Sequence, residues 1–450
     1  MDDKFAKLKN DAKEIFMRSL KYVSPYEAIK IFVRLADNKI ILGNDKNSLK
    51  YFNLADFDRI FVVGAGKASA PMAKALEHVL GDRITEGIVN VKYGFTDNLS
   101  KIKLIEAGHP VPDKNGEQGA IAILSLLKKA TARDLIFSLI SGGGSALLPN
   151  PVPGVTLEDK QNTTKVLLEC GATINEVNAV RKHISGTKGG RMAMAAAPAT
   201  VINLMLSDVV GDKLDIIASG PFVPDESSFH DTSRIFEKYN IRERIPSAVI
   251  NHIEAGIAGN REETPKHGEK FFDKVHNIII GSNILALKGA AHHAEKLGYT
   301  PVILSSMIEG ESKDVAKVHV GIIKEVISSG NPAKTPLCLI SGGETTVTIK
   351  GGGKGGRNQE FCLAGAIDMH GISNKVVMLS GGTDGNDGPT DAAGAIADTE
   401  TFSRAINAGI SPYKYLAEND SYNFFKAING LLITGPTNTN VMDIRIMLIA

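Results

Sequence analysis

Three apolar runs in this chain end in the same Ser-Gly-Gly tripeptide, and that recurrence restricts the fold more than any other feature. FSLISGGGSALL empties into residues 141–144, LCLISGGETTV into 341–343 and VVMLSGGTDGNDGPTD into 380–382. A fourth run, RIFVVGAGKAS, ends at Gly64 and Gly66 with Lys67 directly behind. Such runs read as strands buried on both faces. Glycine at a strand end lets backbone N–H groups turn toward one point, and in an open parallel sheet these loops gather at the carboxyl edge, where anionic ligands bind. The chain therefore reads as an α/β enzyme for a phosphorylated substrate or cofactor.

At 450 residues the chain is long enough for two domains. Lysine plus arginine (51) balances aspartate plus glutamate (50), which argues against a nucleic-acid surface built on bulk charge. Cys170, Cys338 and Cys362 match no zinc spacing and read as small core residues in a reducing compartment. The amino terminus, MDDKFAKLKNDAKEIF, mixes charges with helical apolar spacing; it reads as neither signal peptide nor membrane span, and a cytoplasmic protein without membrane contact is expected.

Apolar runs alternate with helical patterns, the sign of a parallel or mixed sheet covered on both faces. Strands are expected at 60–63, 87–91, 103–106, 134–140, 199–206, 276–280, 300–304, 337–340, 345–349, 375–379 and 430–433. Helix periodicity covers 68–80, 116–130, 157–170, 174–184, 284–297, 312–328 and 358–369. The polar stretch 260–270 reads as the linker, with the domain boundary near it.

GAGKAS places Lys67 at a helix start, where a cation opposes the helix dipole unless an anion joins it. A phosphate or carboxylate partner is implied, with a solvated surface lysine as the plain alternative. Ser69 stands where a dinucleotide fingerprint needs its third glycine, and the spacing fails for a Walker A loop. In SGGGSALL, Gly142, Gly143 and Gly144 followed by Ser145 can wrap a phosphate with backbone N–H groups and one hydroxyl, or simply make a tight turn. Asp384, Asp387 and Asp391 share one glycine-rich loop after a strand, and Asp208 and Asp212 follow another. Such hard oxygen ligands beside a phosphate suit magnesium, Asp208 and Asp384 first because each directly follows its strand, although aspartate also favours loops for local reasons. KGGGKGGRNQEF begins as a glycine loop expected to be mobile and ends in Arg357, whose fork can neutralise two phosphoryl oxygens, and Asn358, an apt helix N-cap. NEVNAVRKHISGTKGGR adds Asn178, Arg181, Lys182, Lys188 and Arg191, with a solvated helix face as the alternative; His109 in EAGHPVPD reads as structural.

GAGKAS, SGGGSALL, NAVRKHISGTKGG, SDVVGDKLDIIASGP, SGGETTV, GKGGRNQE, SGGTDGNDGPTDAAG and TGPTNTNVMD, in order from about residue 62 to 448, together resemble the glycerate 2-kinase family with its MOFRL carboxy-terminal region. The resemblance implies ATP-dependent phosphorylation of D-glycerate to 2-phosphoglycerate with magnesium or another divalent cation. It further implies a larger Rossmann-like α/β/α domain over 1–260 and a smaller mixed α/β domain over 270–450, with the active site in the cleft between them and the segment 430–450 able to return to the first domain. Lys67 and Arg357 are then the catalytic residues. Substrate and nucleotide contacts fall on Gly64, Gly66, Ser69, Ser141, Gly142, Gly143, Gly144, Ser145, Arg181, Lys188, Gly342, Gly343, Glu344 and Asn358, and metal contacts on Asp208 and Asp384. A monomer or homodimer is expected. The other readings are a hydroxypyruvate reductase and a non-catalytic nucleotide or sugar-acid sensor.

Overall fold

The computed structural model describes residues 5–44 and 49–450. Contacts gather the described residues of Pro25–Ser207 with Asp212–Ile280 into one compact unit, and those up to Ser24 with Asp208–Gly211 and Gly281–Ala450 into a second. No helix among the described residues is long and apolar enough to cross a membrane.

The first unit opens with a small antiparallel sheet of β1 (Val33–Ala36), β2 (Lys39–Leu42) and β3 (Lys50–Asn53). Its main sheet contains β4 (Arg59–Ala65), β5 (Ile84–Lys92), β6 (Ile102–Ala107), β7 (Asp134–Ile140), β8 (Thr200–Leu206) and β9 (Val275–Gly281), in the order β6-β5-β4-β7-β8-β9. From β6 to β8 every pairing is parallel. Every residue of β7 is buried, as expected for a strand covered on both faces. Chain order runs outward in both directions from β4 and β7, which makes their junction the topological switch point, where a ligand crevice forms in such sheets. The register pairs Ala65 with Ile140, so the two glycine loops leave the sheet side by side.

The second unit is built on β10 (Thr300–Ile308), β11 (Leu337–Gly343), β12 (Val376–Gly382), β13 (Gly394–Asp398), β14 (Leu431–Leu432) and β15 (Asp443–Ile449). Their order is β10-β11-β15-β12-β13-β14, and only β10 and β11 run parallel. The carboxy-terminal strand β15 lies antiparallel between β11 and β12, with Asp443 opposite both Gly343 and Gly382 and Arg445 opposite both Ser341 and Ser380.

The structure corrects several expectations. Residues 430–450 stay in the second unit, because β15 is the strand that joins its halves. The stretch 260–270 is no linker: Glu263 accepts from His183 Nε2 (2.7 Å) and the Phe229 amide (3.0 Å), and Thr264 donates to Asp225 (2.9 Å), which ties it into the first unit. The boundary falls instead at Ile280 and Gly281. The amino-terminal helix Ala6–Tyr22 joins the second unit, with buried Leu8, Ala12, Ile15, Phe16 and Leu20 on one face. Predicted strand 345–349 contributes only a single bridge, Thr346 to Glu311, since Ile349 is exposed and finds no neighbour to bury against.

Lys9 of the amino-terminal helix pairs with the buried carboxylate of Asp398 at 2.8 Å, and Arg404 grips that carboxylate at 2.9 and 2.7 Å. Burial pushes the Asp398 acid strength down, but Arg404 and Lys9 outweigh it and hold its pKa below the usual value. The stability this supplies is present above the unfolded pKa and is lost as pH falls through the lower folded one. Replacing Asp398 by Asn should therefore cost about 1–3 kcal/mol at neutral pH and flatten the acid limb of the stability profile. Urea unfolding of both forms across pH 3 to 7 checks this; parallel profiles would contradict it.

Candidate active site

In the first unit the loop after β4 is stitched to the loop after β7. The Lys67 amide donates to the Gly142 carbonyl (2.9 Å), the Ala68 amide to Ser141 Oγ (3.0 Å), and Ser69 Oγ to the Leu139 carbonyl (3.0 Å). Ser69 and Ser141, expected as ligand contacts, are thus buried architectural ties whose hydroxyls lie 3.2 Å apart. Gly64 and Gly66 likewise serve close approach, because a Cβ on Gly64 would strike the Leu139 carbonyl and one on Gly66 the Ser141 hydroxyl. These hydrogen bonds point Gly143 outward. Its φ of +84° suits glycine, and a Cβ there would sit 2.8 Å from the His109 ring and 3.4 Å from Lys67 Cε.

Beside this loop opens a cavity of about 680 Å³ whose lining includes His109, Gly143, Ser145, Lys160, Arg181 and Lys188. Lys188 is buried and donates to the carbonyls of Ser145 (2.8 Å) and Leu148 (3.1 Å). Lys160, also buried, donates to the Ile184 carbonyl (3.2 Å) at the end of helix Ile174–His183. Burial and then the neighbouring cations push both ammonium groups toward the neutral form, Lys188 to about 7. Burial also lowers the Arg181 pKa. His109 is held near 4 by burial and by Lys67 and Lys92, so its ring is neutral at physiological pH. Three crowded cations with no carboxylate among the groups that shift them make a site that an anion would relieve. A strained segment backs it: Ala218 (φ 51°) and Ser219 (φ 60°) are left-handed. Ser219 Oγ lies 3.0 Å from Ser145 Oγ and donates to Asn178 (3.0 Å). Lys182 belongs elsewhere, paired with Asp225 (3.2 Å) and Asp215 (3.3 Å).

The second unit gathers its own polar cluster. Arg357 opens helix Arg357–Asp368; its Nε donates to Asp443 (2.8 Å) and its Nη1 pairs with Glu344 (2.9 Å). Asn358 is one residue inside the helix rather than the N-cap, which is Gly356; its side chain bridges Asp443 (2.9 Å) and Asp387 (3.2 Å) and accepts from Ser380 (2.6 Å). Asp387 caps the helix from outside, accepting from the amides of Asn358 (3.0 Å) and Gln359 (2.8 Å), and burial pushes its pKa to about 7. At Gly342 the side chain of Asn283 occupies the space a Cβ would need and donates to the carbonyls of Val441 (2.8 Å) and Asp443 (2.9 Å).

The glycine loop before Arg357 is hydrogen-bonded to a turn at 418–420. The Asn419 side chain accepts from the amides of Lys350 (2.8 Å) and Gly351 (3.0 Å), the Glu418 backbone carbonyl from Gly353 (2.9 Å), and the Asp420 carboxylate from Lys354 (2.9 Å). Its glycines are there for close approach, since a Cβ on Gly351, Gly353, Gly355 or Gly356 would enter residues 418–421 or Asp387. Next to it lies a cavity of about 540 Å³ lined in part by Arg357, Glu360, Asp384 and Asp387. Asp384 accepts from the Asn386 amide (3.0 Å) in a local turn, and Asp391 accepts from Tyr422 (2.8 Å). Asp208 is close enough to Glu344 to raise its pKa, behind the larger effect of burial. Among the described residues no three His, Cys, Asp or Glu side chains converge as a metal-holding group. Asp443, Arg445 and Lys160 are what the residue patterns did not single out, and His109, read as structural, lines the cavity; TGPTNTNVMD contains Asp443, and the placement of the motif before a final apolar run was the available signal.

A parallel sheet with glycine loops at its switch point and a cationic cavity beside them defines the α/β class of fold whose ligand crevices open at that point. A model described as Domain of unknown function (DUF4147) matches residues 11–254, and the MOFRL family model matches residues 337–443. The glycerate 2-kinase of Pyrococcus horikoshii is 43% identical and the D-glycerate 2-kinase of Thermotoga maritima 42% identical, each over 98% of both chains. A putative hydroxypyruvate reductase of Agrobacterium vitis is 44% identical over 87% of this chain and 99% of its own. The crystal structure of a glycerate kinase from Thermotoga maritima superposes with a TM-score of 0.87, covering 99% of this chain and 100% of that one at 41% identity. This chain belongs to the glycerate 2-kinase family and carries its MOFRL region.

Gly143 separates His109 from Lys67, so Gly143→Ala should push on both side chains and impose a strained φ. Activity should fall about 100-fold through misplacement of these groups, with the fold retained. Steady-state kinetics beside a thermal melt checks this; unchanged kcat and KM would show that the loop geometry is immaterial.

Proposed function

We propose that this chain transfers the γ-phosphoryl group of ATP to the 2-hydroxyl of D-glycerate, giving 2-phospho-D-glycerate. The observation that carries the reading is buried Lys160 and Lys188 with half-buried Arg181, beside Lys67 and the Gly143 loop, a concentration of positive charge that a phosphorylated ligand would complete. Family membership and the names of the Pyrococcus horikoshii and Thermotoga maritima relatives supply the acceptor. In-line phosphoryl transfer asks little covalent chemistry of the protein and mainly needs positioning and charge. Lys67, at the start of helix Ser69–Leu80, adds its ammonium to the helix dipole facing the anion. Arg357, held by Asp443 through Nε, keeps a guanidinium edge whose partner Glu344 is nearly half exposed, and that edge can exchange a carboxylate for a phosphoryl oxygen.

Magnesium would neutralise charge on the phosphates, and Asp208 and Asp384 are the carboxylates we assign to it. The assignment rests on the chemistry of the pair, because Mg²⁺ takes one or two carboxylates and fills its shell with water and phosphate oxygens. A hydroxypyruvate reductase is the second reading, favoured by the Agrobacterium vitis relative. Against it stands Ser69, whose hydroxyl is committed to the Leu139 carbonyl where a dinucleotide loop needs a glycine. Phosphorus NMR of the product from ATP, magnesium and D-glycerate decides: a phosphomonoester coupled to the C2 proton, absent when the metal is chelated, is expected. Oxidation of NADH by hydroxypyruvate without such a product would overturn the proposal.

Lys67 is partly exposed, so Lys67→Ala should change stability by no more than about 0.5 kcal/mol, whereas loss of an anion contact in the transition state should lower kcat/KM by about 100-fold or more. A folded variant with near-normal kcat/KM would remove Lys67 from the machinery.

A further inference from the structure

We infer that the cavity beside Lys67 is the nucleotide pocket, with the phosphate chain on Lys160, Arg181 and Lys188 and the base against an apolar rim formed by Val111 and Leu168. This deepens the kinase reading and rests on it for the choice of ligand. Size argues first. A volume of about 680 Å³ lies within the span of about 300–1,000 Å³ that larger organic ligands fill, and it is several times what a three-carbon acid needs. Chemistry argues second, because the cavity has two unlike ends. At the inner end, Lys160 and Lys188 are 4% and 1% exposed, and their hydrogen bonds go only to carbonyls, which orient an ammonium without neutralising it.

At the outer end, Val111 and Leu168 stand 64% and 61% exposed although both are large and apolar. Gln161 fixes that rim by donating to the Pro112 carbonyl (2.7 Å). Glu169 is the one carboxylate in the lining, and it is engaged by Arg244 (2.5 Å) and Lys165 (3.9 Å), so the inner cations keep no anion of their own. An anionic chain ending in a flat apolar ring matches both ends at once. Glycerate, with hydroxyls along its length, has no use for the rim. The location agrees, since Gly143 and Ser145 bring the cavity to the switch point of the sheet.

Calorimetry on the full chain tests this with four probes: the magnesium complex of the non-hydrolysable analogue AMPPNP, tripolyphosphate, adenosine and D-glycerate. Lys160→Gln should weaken AMPPNP and tripolyphosphate by about tenfold or more, the worth of a charge-assisted hydrogen bond. The rim double variant Val111→Ser with Leu168→Ser, at exposed positions that leave the fold intact, should weaken AMPPNP and adenosine but spare tripolyphosphate and D-glycerate. If Lys160→Gln does not fold, the rim variant decides alone. A wild type that does not bind AMPPNP, unchanged AMPPNP affinity in the rim variant, or losses confined to D-glycerate would each overturn the inference. Failure of the kinase reading looks different: AMPPNP binding with the expected losses, but no phosphoglycerate by NMR.

Discussion

A carboxylate sealed from water stands where three strands of the second unit end together. Asp443 begins β15 opposite the last glycines of β11 and β12, and its two oxygens accept from Arg357, Asn358 and Arg445. A buried carboxylate is tolerable only when its lone pairs are filled, so this one residue fixes the entry of helix Arg357–Asp368, the direction of the Arg357 fork and the position of Arg445. Arg445 has 0% exposure, stacks 5.2 Å from the Phe361 ring and donates to Thr345 (3.1 Å). Glycine at the adjoining strand ends follows from the same demand, because Asn283 presses against Gly342 to hold the Asp443 carbonyl.

The first unit solves the opposite electrostatic problem. Its cations are buried without carboxylates, and the carbonyls that hold Lys160 and Lys188 come from helix and loop ends. Such an arrangement is costly in isolation and gains most when an anion enters. One unit thus holds positive charge against backbone carbonyls alone, and the other holds a positive fork balanced by Asp443 and Glu344.

Much of this was legible in the residues. The strand 134–140 is β7 to the residue, and the GAGKAS and SGGGSALL loops do lie side by side, because uninterrupted apolar runs and glycine clusters are local signals. β15 escaped detection because DIRIMLI puts Asp443 and Arg445 where a buried strand should be apolar, and only tertiary partners make that possible. β13 escaped as well, since GAIAD is small and short. The close packing of KGGGKGG was not legible, because glycine permits both looseness and close approach, and the turn at 418–420 that the loop packs against lies far away in sequence. Ser69 and Ser141 looked like ligand contacts because sequence cannot show that each hydroxyl already has a partner.

The central claim is that Asp443 orients Arg357 for its task, and the variant Asp443→Asn tests it most directly. The amide keeps the shape and can still accept from Asn358, but it removes the charge that Arg357 and Arg445 share. The account predicts a folded protein whose kcat for glycerate phosphorylation falls about 100-fold, in line with misplacement of one catalytic group, while the KM for nucleotide changes little. A variant with full kcat, or one whose defect lies only in nucleotide KM, would contradict it.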